Sequence, residues 1–198
     1  MKDWESGRRN VPDGGKRRRL KEEWRNQTAP GFGRKPEPEA RSLKPGPEGA
    51  VSAAPVLNFP NCFVCGSENP QGLHIDFHAD GPDGCRAQYT ARPEHTGWPG
   101  IVHGGLLFTL MDEALAWALA YSGLRGVTAR GDVRFCSPAR VGTPLVITAR
   151  LVARRRDLVR ARAEIRTANG NQDLIAELEA SMYLTDVEQW QLFVGTDL

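Results

Sequence analysis

The chain lacks long hydrophobic runs and has few cysteines. None of its 198 residues belongs to an uninterrupted apolar stretch of about eighteen, so the sequence contains no obvious membrane-spanning helix. The segment from Met1 to Glu5 has no apolar core of the kind found in a signal peptide. The four Cys are too few for a disulfide scaffold in a chain of this length. We therefore expect a cytoplasmic protein whose cysteines are thiols.

Lysine is absent beyond residue 50, where every basic residue is Arg. Residues 1–50 carry 13 Lys and Arg against 8 Asp and Glu, and residues 51–198 carry 13 against 16. This change in composition, together with a run rich in Pro, Gly and Arg at 34–55, predicts a domain boundary near residue 55. Residues 1–55 hold few aliphatic side chains and are expected to be a disordered basic tail. Residues 56–198 are expected to form one domain.

The basic tail contains the run Lys16, Arg17, Arg18 and Arg19, which is a pattern found in segments that bind nucleic acid or anionic lipid. Glu22 and Glu23 follow at once, and no aromatic residues alternate with the charges to stack on bases. The pattern therefore favours a solvated tail. We expect neither a nucleic acid nor a membrane as a partner.

A CxxC pair, Cys62 and Cys65, is followed by Gly66 and forms half of a zinc pattern. Only Cys85 or His74 suggests itself as a further ligand, and the remaining Cys lie in strand-like runs rather than in a second pair. We therefore expect no metal. The segment is interpreted as a packed loop that leads through the turn residues 69–72 into the first strand.

Alternating apolar and polar residues predict six strands, at 73–78, 85–90, 127–135, 145–152, 158–166 and 174–184. In the first of them, His74 and His78 fall on the polar face. Residues 93–102 are expected to form a loop, and residues 104–122 a helix. The order of two strands, a long helix and four meandering strands predicts an α+β fold in which a six-stranded antiparallel sheet wraps one central helix.

The helix at 104–122 is apolar in nearly every direction, which is typical of a buried helix. Asp112 and Glu113 are its only ionisable residues between Leu106 and Tyr121. Burying an unpaired carboxylate costs several kcal/mol, so one of the two is a candidate for chemistry. Glu113 lies about 100° around the axis from Asp112 and is expected to face a subunit contact or solvent.

The helix begins after His103 with Gly104 and Gly105. Amide groups at a helix start are unpaired and carry partial positive charge, so they can bind a carbonyl oxygen or an anion. For His103 itself we favour a capping role over proton transfer. Three aromatic residues, Phe108, Trp117 and Phe135, are expected in the core rather than in a ligand pocket.

The run at 103–114, His-Gly-Gly-Leu-Leu-Phe-Thr-Leu-Met-Asp-Glu-Ala, resembles the signature of hotdog-fold acyl-CoA thioesterases of the phenylacetic-acid-degradation type. The CxxC segment with the Asn-Pro and Gly-Leu that follow it, and Arg134, Phe135 and Pro138, are also similar to members of that superfamily. The resemblance extends over about residues 60–185. It implies a hotdog fold and the hydrolysis of an acyl-CoA thioester to free acid and CoA, without a cofactor.

The resemblance also implies roles for individual residues. A backbone amide of Gly104 or Gly105 would polarise the thioester carbonyl, and Asp112 would act as nucleophile or as general base. His103 belongs to the same motif, and Thr128 matches a Thr that some relatives use at the start of the next strand. Because Arg binds phosphate bidentately, Arg134, Arg155 and Arg156 are candidates for binding CoA, although a solvated turn at 154–156 is an equal alternative.

The spacing of Gly104 and Asp112 predicts a shared site. Eight helical residues separate them by about 12 Å along the axis, whereas each must approach adjacent atoms of the substrate to within about 3 Å. One chain therefore supplies the glycine and another the acid, in a homodimer or a dimer of dimers. The alternative function is a non-catalytic acyl-CoA-binding or sensing protein. A hotdog hydratase would require a run like Gly-Asp-x-Asn-Pro, which the sequence lacks.

Overall fold

The structure is a computed structural model that describes residues 59–186. The expected disordered basic tail, and with it the domain boundary near residue 55, lies outside these residues and stays a prediction. Within them the elements are β1 Phe77–Ala79, β2 Gly84–Thr90, β3 Thr96–Trp98, β4 Ile101–Val102, α1 Gly104–Tyr121, β5 Gly126–Phe135, β6 Pro144–Arg155, β7 Leu158–Thr167 and β8 Leu174–Leu184.

Six of the strands form one antiparallel sheet with the order β1-β2-β6-β7-β8-β5, and helix α1 packs on it. The predicted α+β fold with one central helix is therefore confirmed. Helix α1 covers the predicted range, because Gly123, with φ of +70°, adopts a left-handed conformation just beyond its end. Among residues 59–186, no helix is long and apolar enough to cross a membrane.

The first strand is shorter than predicted. Leu73 and Ile75 are buried in the expected alternation, and His74 and His78 are exposed as predicted. However, His74 has φ of 52°, which breaks the extended conformation. The amides of Leu73 and Ile75 bond to the carbonyls of the 63–64 loop instead of to a strand. Alternation therefore identified the buried side chains, but not where sheet pairing begins.

Residues 93–102, expected to be a loop, contain regular structure. A 3-10 turn at Pro93–His95 leads into β3 and β4, which pair with each other across Pro99 and Gly100. Gly100 has φ of +74°, a conformation that favours glycine and closes this tight connection. The hairpin delivers the chain to the start of α1, where the His103 amide bonds to the His95 carbonyl at 2.9 Å.

The four strands after the helix do not form the simple meander that we expected. Strands β6, β7 and β8 follow one another in the sheet, but β5 pairs with β8 rather than with β6. Alternation identifies which side chains share a face and carries no information about which strand lies next to which. As a result, β5 is an edge strand.

The core lies between α1 and the sheet, where Leu110, Met111, Ala114 and Leu115 are fully buried. We expected α1 to be buried on every side, but Asp112, Glu113 and Trp117 are only half-buried. Part of the helix surface is therefore open. Apolar side chains of β5 are also open: Val127 is 41% exposed and Val133 is 37% exposed. The described chain thus leaves an apolar edge strand uncovered.

Candidate functional site

His103 caps helix α1. Its Nδ1 accepts a hydrogen bond from the Gly105 amide at 2.9 Å, and its carbonyl accepts from the amides of Leu106 and Leu107. The bonds to Gly105 and Leu106 satisfy two of the donors that a helix start leaves unpaired, and the bond from Leu107 is the first regular bond of the helix. The capping interpretation of His103 is confirmed. One of the two predicted carbonyl-polarising amides, that of Gly105, is occupied by the cap.

The amide of Gly104 has no hydrogen-bond acceptor among residues 59–186. The ring of Phe135 lies over this glycine, since a Cβ at position 104 would approach Phe135 Cζ to 3.2 Å. Phe135 is 36% exposed and is not a core residue, which corrects the prediction. Phe108 and Trp117, in contrast, pack against the core from partly buried positions. The available donor at the helix start therefore lies beside an exposed aromatic ring.

Asp112 is held by Thr128. The Thr128 hydroxyl donates to Asp112 Oδ1 at 2.6 Å and also lies 3.3 Å from Met182 Sδ. Thr128 is at the start of β5, next to a register irregularity in its pairing with β8. Both residues are half-buried, so the carboxylate is sheltered yet retains access to the surface. A carboxylate oriented in this way can accept a proton from water or attack a carbonyl carbon.

One chain does not bring all the predicted groups together. Asp112 and Thr128 meet, but Gly104 lies on the same helix about 12 Å away along its axis. The alignment of β5 with β8 places Thr128 near one end of the sheet and Phe135, beside Gly104, at the other. Asp112 and the open amide are thus separated within one chain.

The arginines predicted to bind CoA are also divided between the two ends of the sheet. Arg134, near the end of β5, forms an ion pair of 3.1 Å with Glu177 on β8. Arg155 and Arg156 lie at the exposed β6–β7 turn. Arg134 pairs with Glu177 of β8, and Leu158, beside the turn, pairs with Tyr183 of the same strand. Six residues of β8 therefore separate Arg134 from the turn, which is about 20 Å along the strand. Within one chain these side chains do not share a phosphate.

Glu113 contacts the CxxC loop instead of facing solvent or another subunit, which corrects the prediction. Its Oε1 lies 3.0 Å from Cys65 Sγ and 3.7 Å from Cys62 Sγ, and it accepts from Trp117 Nε1 at 3.2 Å. Burial raises the pKa of the Cys65 thiol well above its usual range, and the hydrogen bond to Glu113 acts in the same direction. The spacing of Glu113 and Trp117, i and i+4, was a signal for their contact that we had not used.

Neither ligand suggested from the sequence joins this cluster. Cys85 is fully buried and its Sγ lies 3.0 Å from the Ala114 carbonyl, to which the thiol donates. His74 is exposed. Among residues 59–186, the group of three potential metal ligands is formed by Cys62, Cys65 and Glu113, whose ligand atoms lie within 4.8 Å of one another.

Comparisons with known proteins identify a related family. Residues 99–173 match the family model of the thioesterase superfamily. A curated mouse protein, acyl-coenzyme A thioesterase 13, is 30% identical over 86 residues, which are 42% of this chain and 61% of the relative. The chain therefore spans about three fifths of the length of that relative.

Solved structures share the fold. The PaaI protein of the E. coli phenylacetic acid degradation operon aligns with a TM-score of 0.54 at 24% identity, covering 58% of this chain and 81% of that one. Thioesterase superfamily member 2 of Mus musculus aligns with a TM-score of 0.53 at 26% identity, covering 57% and 84%. The resemblance to hotdog-fold thioesterases that the sequence indicated is confirmed.

Proposed function

From this confirmed resemblance to hotdog-fold thioesterases, we propose that the protein hydrolyses an acyl-CoA thioester to the free acid and CoA. The observation that carries the proposal is the 2.6 Å hydrogen bond that fixes the half-buried Asp112 carboxylate to Thr128. The name of the mouse relative, an acyl-coenzyme A thioesterase, supports the substrate class. The proposal includes roles for Asp112, Thr128 and Gly104.

Asp112 acts on the carbonyl carbon of the thioester. Thr128 donates to Oδ1, which leaves Oδ2 free to accept the proton of an attacking water or to attack directly as a nucleophile. In the water route, the water oxygen bonds to the carbonyl carbon, its proton passes to Asp112, and the C–S bond then breaks. The departing CoA thiolate takes up a proton to become the free thiol.

The Gly104 amide stabilises the oxyanion that forms on the carbonyl oxygen. It is the open donor at the positive end of α1 among the described residues, and removing one such donor typically costs about 100-fold or more in rate. Because Gly104 and Asp112 of one chain lie too far apart along the helix, the amide comes from a second copy of the chain. The proposed enzyme is at least a homodimer.

The exposed edge of β5 is the contact that brings the two copies together. An unpaired edge strand with apolar side chains pairs readily with another strand, and Val127 and Val133 supply these side chains. Twofold symmetry makes such a pairing antiparallel. The Gly126 end of one β5 then lies beside the Phe135 end of the other, so Asp112 and Thr128 face the partner's open helix start.

The same antiparallel pairing brings the divided arginines together. The β6–β7 turn with Arg155 and Arg156 lies at the Thr128 end of the sheet, and Arg134 lies at the Phe135 end. Pairing of β5 with a second β5 sets Arg134 of one copy near the turn of the other. The phosphates of one CoA are then contacted by arginines from both copies, as Arg geometry favours.

The test is the release of free thiol from acyl-CoA esters by the purified full chain. The wild type should release CoA, and Asp112→Ala and Asp112→Asn should each lose about 100-fold or more in kcat. Asp76→Asn is the matched control, because that side chain is 86% exposed and lies beside β1. A wild-type protein that binds acyl-CoA without releasing thiol would indicate the sensing alternative. An active Asp112→Ala variant would refute the assignment of Asp112.

A further inference from the structure

We propose that Cys62, Cys65 and Glu113 bind one Zn²⁺ ion, which fastens the CxxC loop to helix α1. Thiolate sulfur and carboxylate oxygen are ligands that zinc uses in proteins. A tetrahedral zinc ion, with Zn–S of about 2.3 Å and Zn–O of about 2.0 Å, separates sulfur from oxygen by about 3.5 Å. The two sulfur–oxygen distances here, 3.0 Å and 3.7 Å, lie on either side of that separation.

The backbone of the CxxC loop is already arranged as a metal-binding turn. The amides of Val64 and Cys65 point at Cys62 Sγ, at 3.3 Å and 3.5 Å, and such donors favour a negatively charged sulfur. The turn closes tightly at Gly66, where a Cβ would lie 2.4 Å from both the Cys62 nitrogen and the Pro60 carbonyl oxygen. A side chain at position 66 therefore has no room.

The carboxylate ligand is oriented in the same way. Trp117 Nε1 donates to Glu113 Oε1 at 3.2 Å, from one turn further along α1. Fixing a ligand by a hydrogen bond from a neighbouring side chain is a regular feature of metal sites. No Arg or His of residues 59–186 forms an ion pair with Glu113. A bound cation would supply the positive charge that this half-buried carboxylate lacks.

The sequence limits what else can complete the coordination. All four Cys and all four His of the chain fall within the described residues, and only Cys62 and Cys65 of these belong to the cluster. The fourth ligand is therefore an oxygen, and a water is sufficient for a tetrahedral ion. The Cys-x-x-Cys half of a zinc pattern is completed by a carboxylate from the helix rather than by a second Cys pair.

The test is a measurement of metal in the full-length chain, untagged and purified with a reductant and without chelators. Mass spectrometry of the metal should find about one zinc per chain after zinc addition and dialysis. Replacing zinc by Co²⁺ should produce the thiolate-to-cobalt charge-transfer absorption in the near ultraviolet. Cys62→Ser, Cys65→Ser and Glu113→Gln should each lower zinc affinity at least about 10-fold in competition with a chromogenic chelator.

Matched controls separate metal binding from folding. Cys136→Ser and Glu177→Gln change the same residue types outside the cluster and should keep the zinc. Glu113→Gln preserves side-chain size, so circular dichroism should show an unchanged fold while affinity falls. The proposal would be overturned if the wild-type protein stayed free of zinc after zinc addition, or if Cys62→Ser and Cys136→Ser bound equal amounts of zinc. A disulfide between Cys62 and Cys65 in place of the metal would also overturn it. These measurements do not use thioester hydrolysis, so the zinc result can be interpreted even if the proposed function is wrong.

Discussion

Thr128 donates its hydroxyl hydrogen to Asp112 across the contact between β5 and α1, with 2.6 Å between the two oxygens. The strand that carries Thr128 is the exposed edge of the sheet, and the helix that carries Asp112 begins with an open amide at Gly104. This one bond therefore connects the carboxylate to the strand through which a second copy of the chain is proposed to bind.

Replacing Thr128 by Val removes the hydroxyl and keeps the shape of the side chain. Because Asp112 loses the donor that orients it, we expect kcat to fall roughly 10- to 100-fold with little change in KM. Thr128→Ser should restore most of the activity. Thr148→Val on β6 is the matched control, three strands away in the sheet. Equal kcat values for Thr128→Val and Thr148→Val would show that the bond has no catalytic importance.

Removing the cap at His103 should weaken the fold. His103→Ala leaves the Gly105 amide without its acceptor, and the loss of a cap typically costs about 0.5–2 kcal/mol in the free energy of unfolding. His103→Asn, which keeps a capping oxygen, should lose less. Thermal unfolding followed by circular dichroism measures both. The capping role would be contradicted if the Asn variant were as unstable as the Ala variant, or if neither differed from the wild type.

The features that depend on neighbouring residues could be predicted from the sequence. Helix α1, its cap at His103 and the left-handed Gly123 all follow from short-range patterns. The family resemblance implied that Thr128 and Asp112 both belong to the site, but it did not predict the hydrogen bond between them, since the two residues are sixteen positions apart and belong to different elements. The pairing of β5 with β8 and the contact of Glu113 with Cys62 and Cys65 could not be predicted, because both depend on distant parts of the chain packing together.

Cys85 should make the protein less stable at alkaline pH. Burial raises the pKa of this thiol from about 9 in the unfolded chain to about 12. Between these values the unfolded chain loses the proton while the folded chain retains it, so the free energy of unfolding falls as pH rises. At pH values below the pKa of Cys85 in the unfolded chain, the thiol is protonated in both states, and its contribution to the free energy of unfolding is constant.

The measurement for this prediction is denaturant unfolding at several pH values for the wild type and Cys85→Ala. The difference between them isolates Cys85, because other titrating groups contribute equally to both. The wild type's advantage should be constant below about pH 8 and shrink above about pH 9. A difference that stays constant across the alkaline range would contradict the account of Cys85.

A charge on the β5 edge should separate the proposed dimer. Val133→Glu places a carboxylate on this exposed strand. In the antiparallel pairing, position 133 of one copy lies opposite Thr128 of the other, so the new charge enters the contact close to the Asp112 carboxylate and the two repel. We expect a shift from dimer to monomer in light scattering, with loss of thioester hydrolysis. His78→Glu on β1, at the opposite edge of the sheet, should remain dimeric and active. An active monomeric Val133→Glu protein would rule out a site shared through β5.

Gly104→Pro is the variant needed to test directly whether two subunits share one site. Proline removes the amide hydrogen and is tolerated at the first helical position, and His103, with φ of −62° and ψ of 131°, already has the extended conformation that precedes a proline. Gly104→Ala is the matched control, since it adds the same Cβ beside Phe135 and keeps the amide. Gly104→Pro should lose about 100-fold in kcat, and Gly104→Ala much less.

In the proposed site, the Gly104 amide of one subunit and Asp112 of another act on the same thioester. The most direct measurement is the activity recovered when the nearly inactive Asp112→Asn and Gly104→Pro proteins are unfolded together and refolded as a mixture. Each mixed dimer then contains one intact shared site, so random pairing should recover about one quarter of the wild-type activity. A mixture no more active than its two components would contradict the claim.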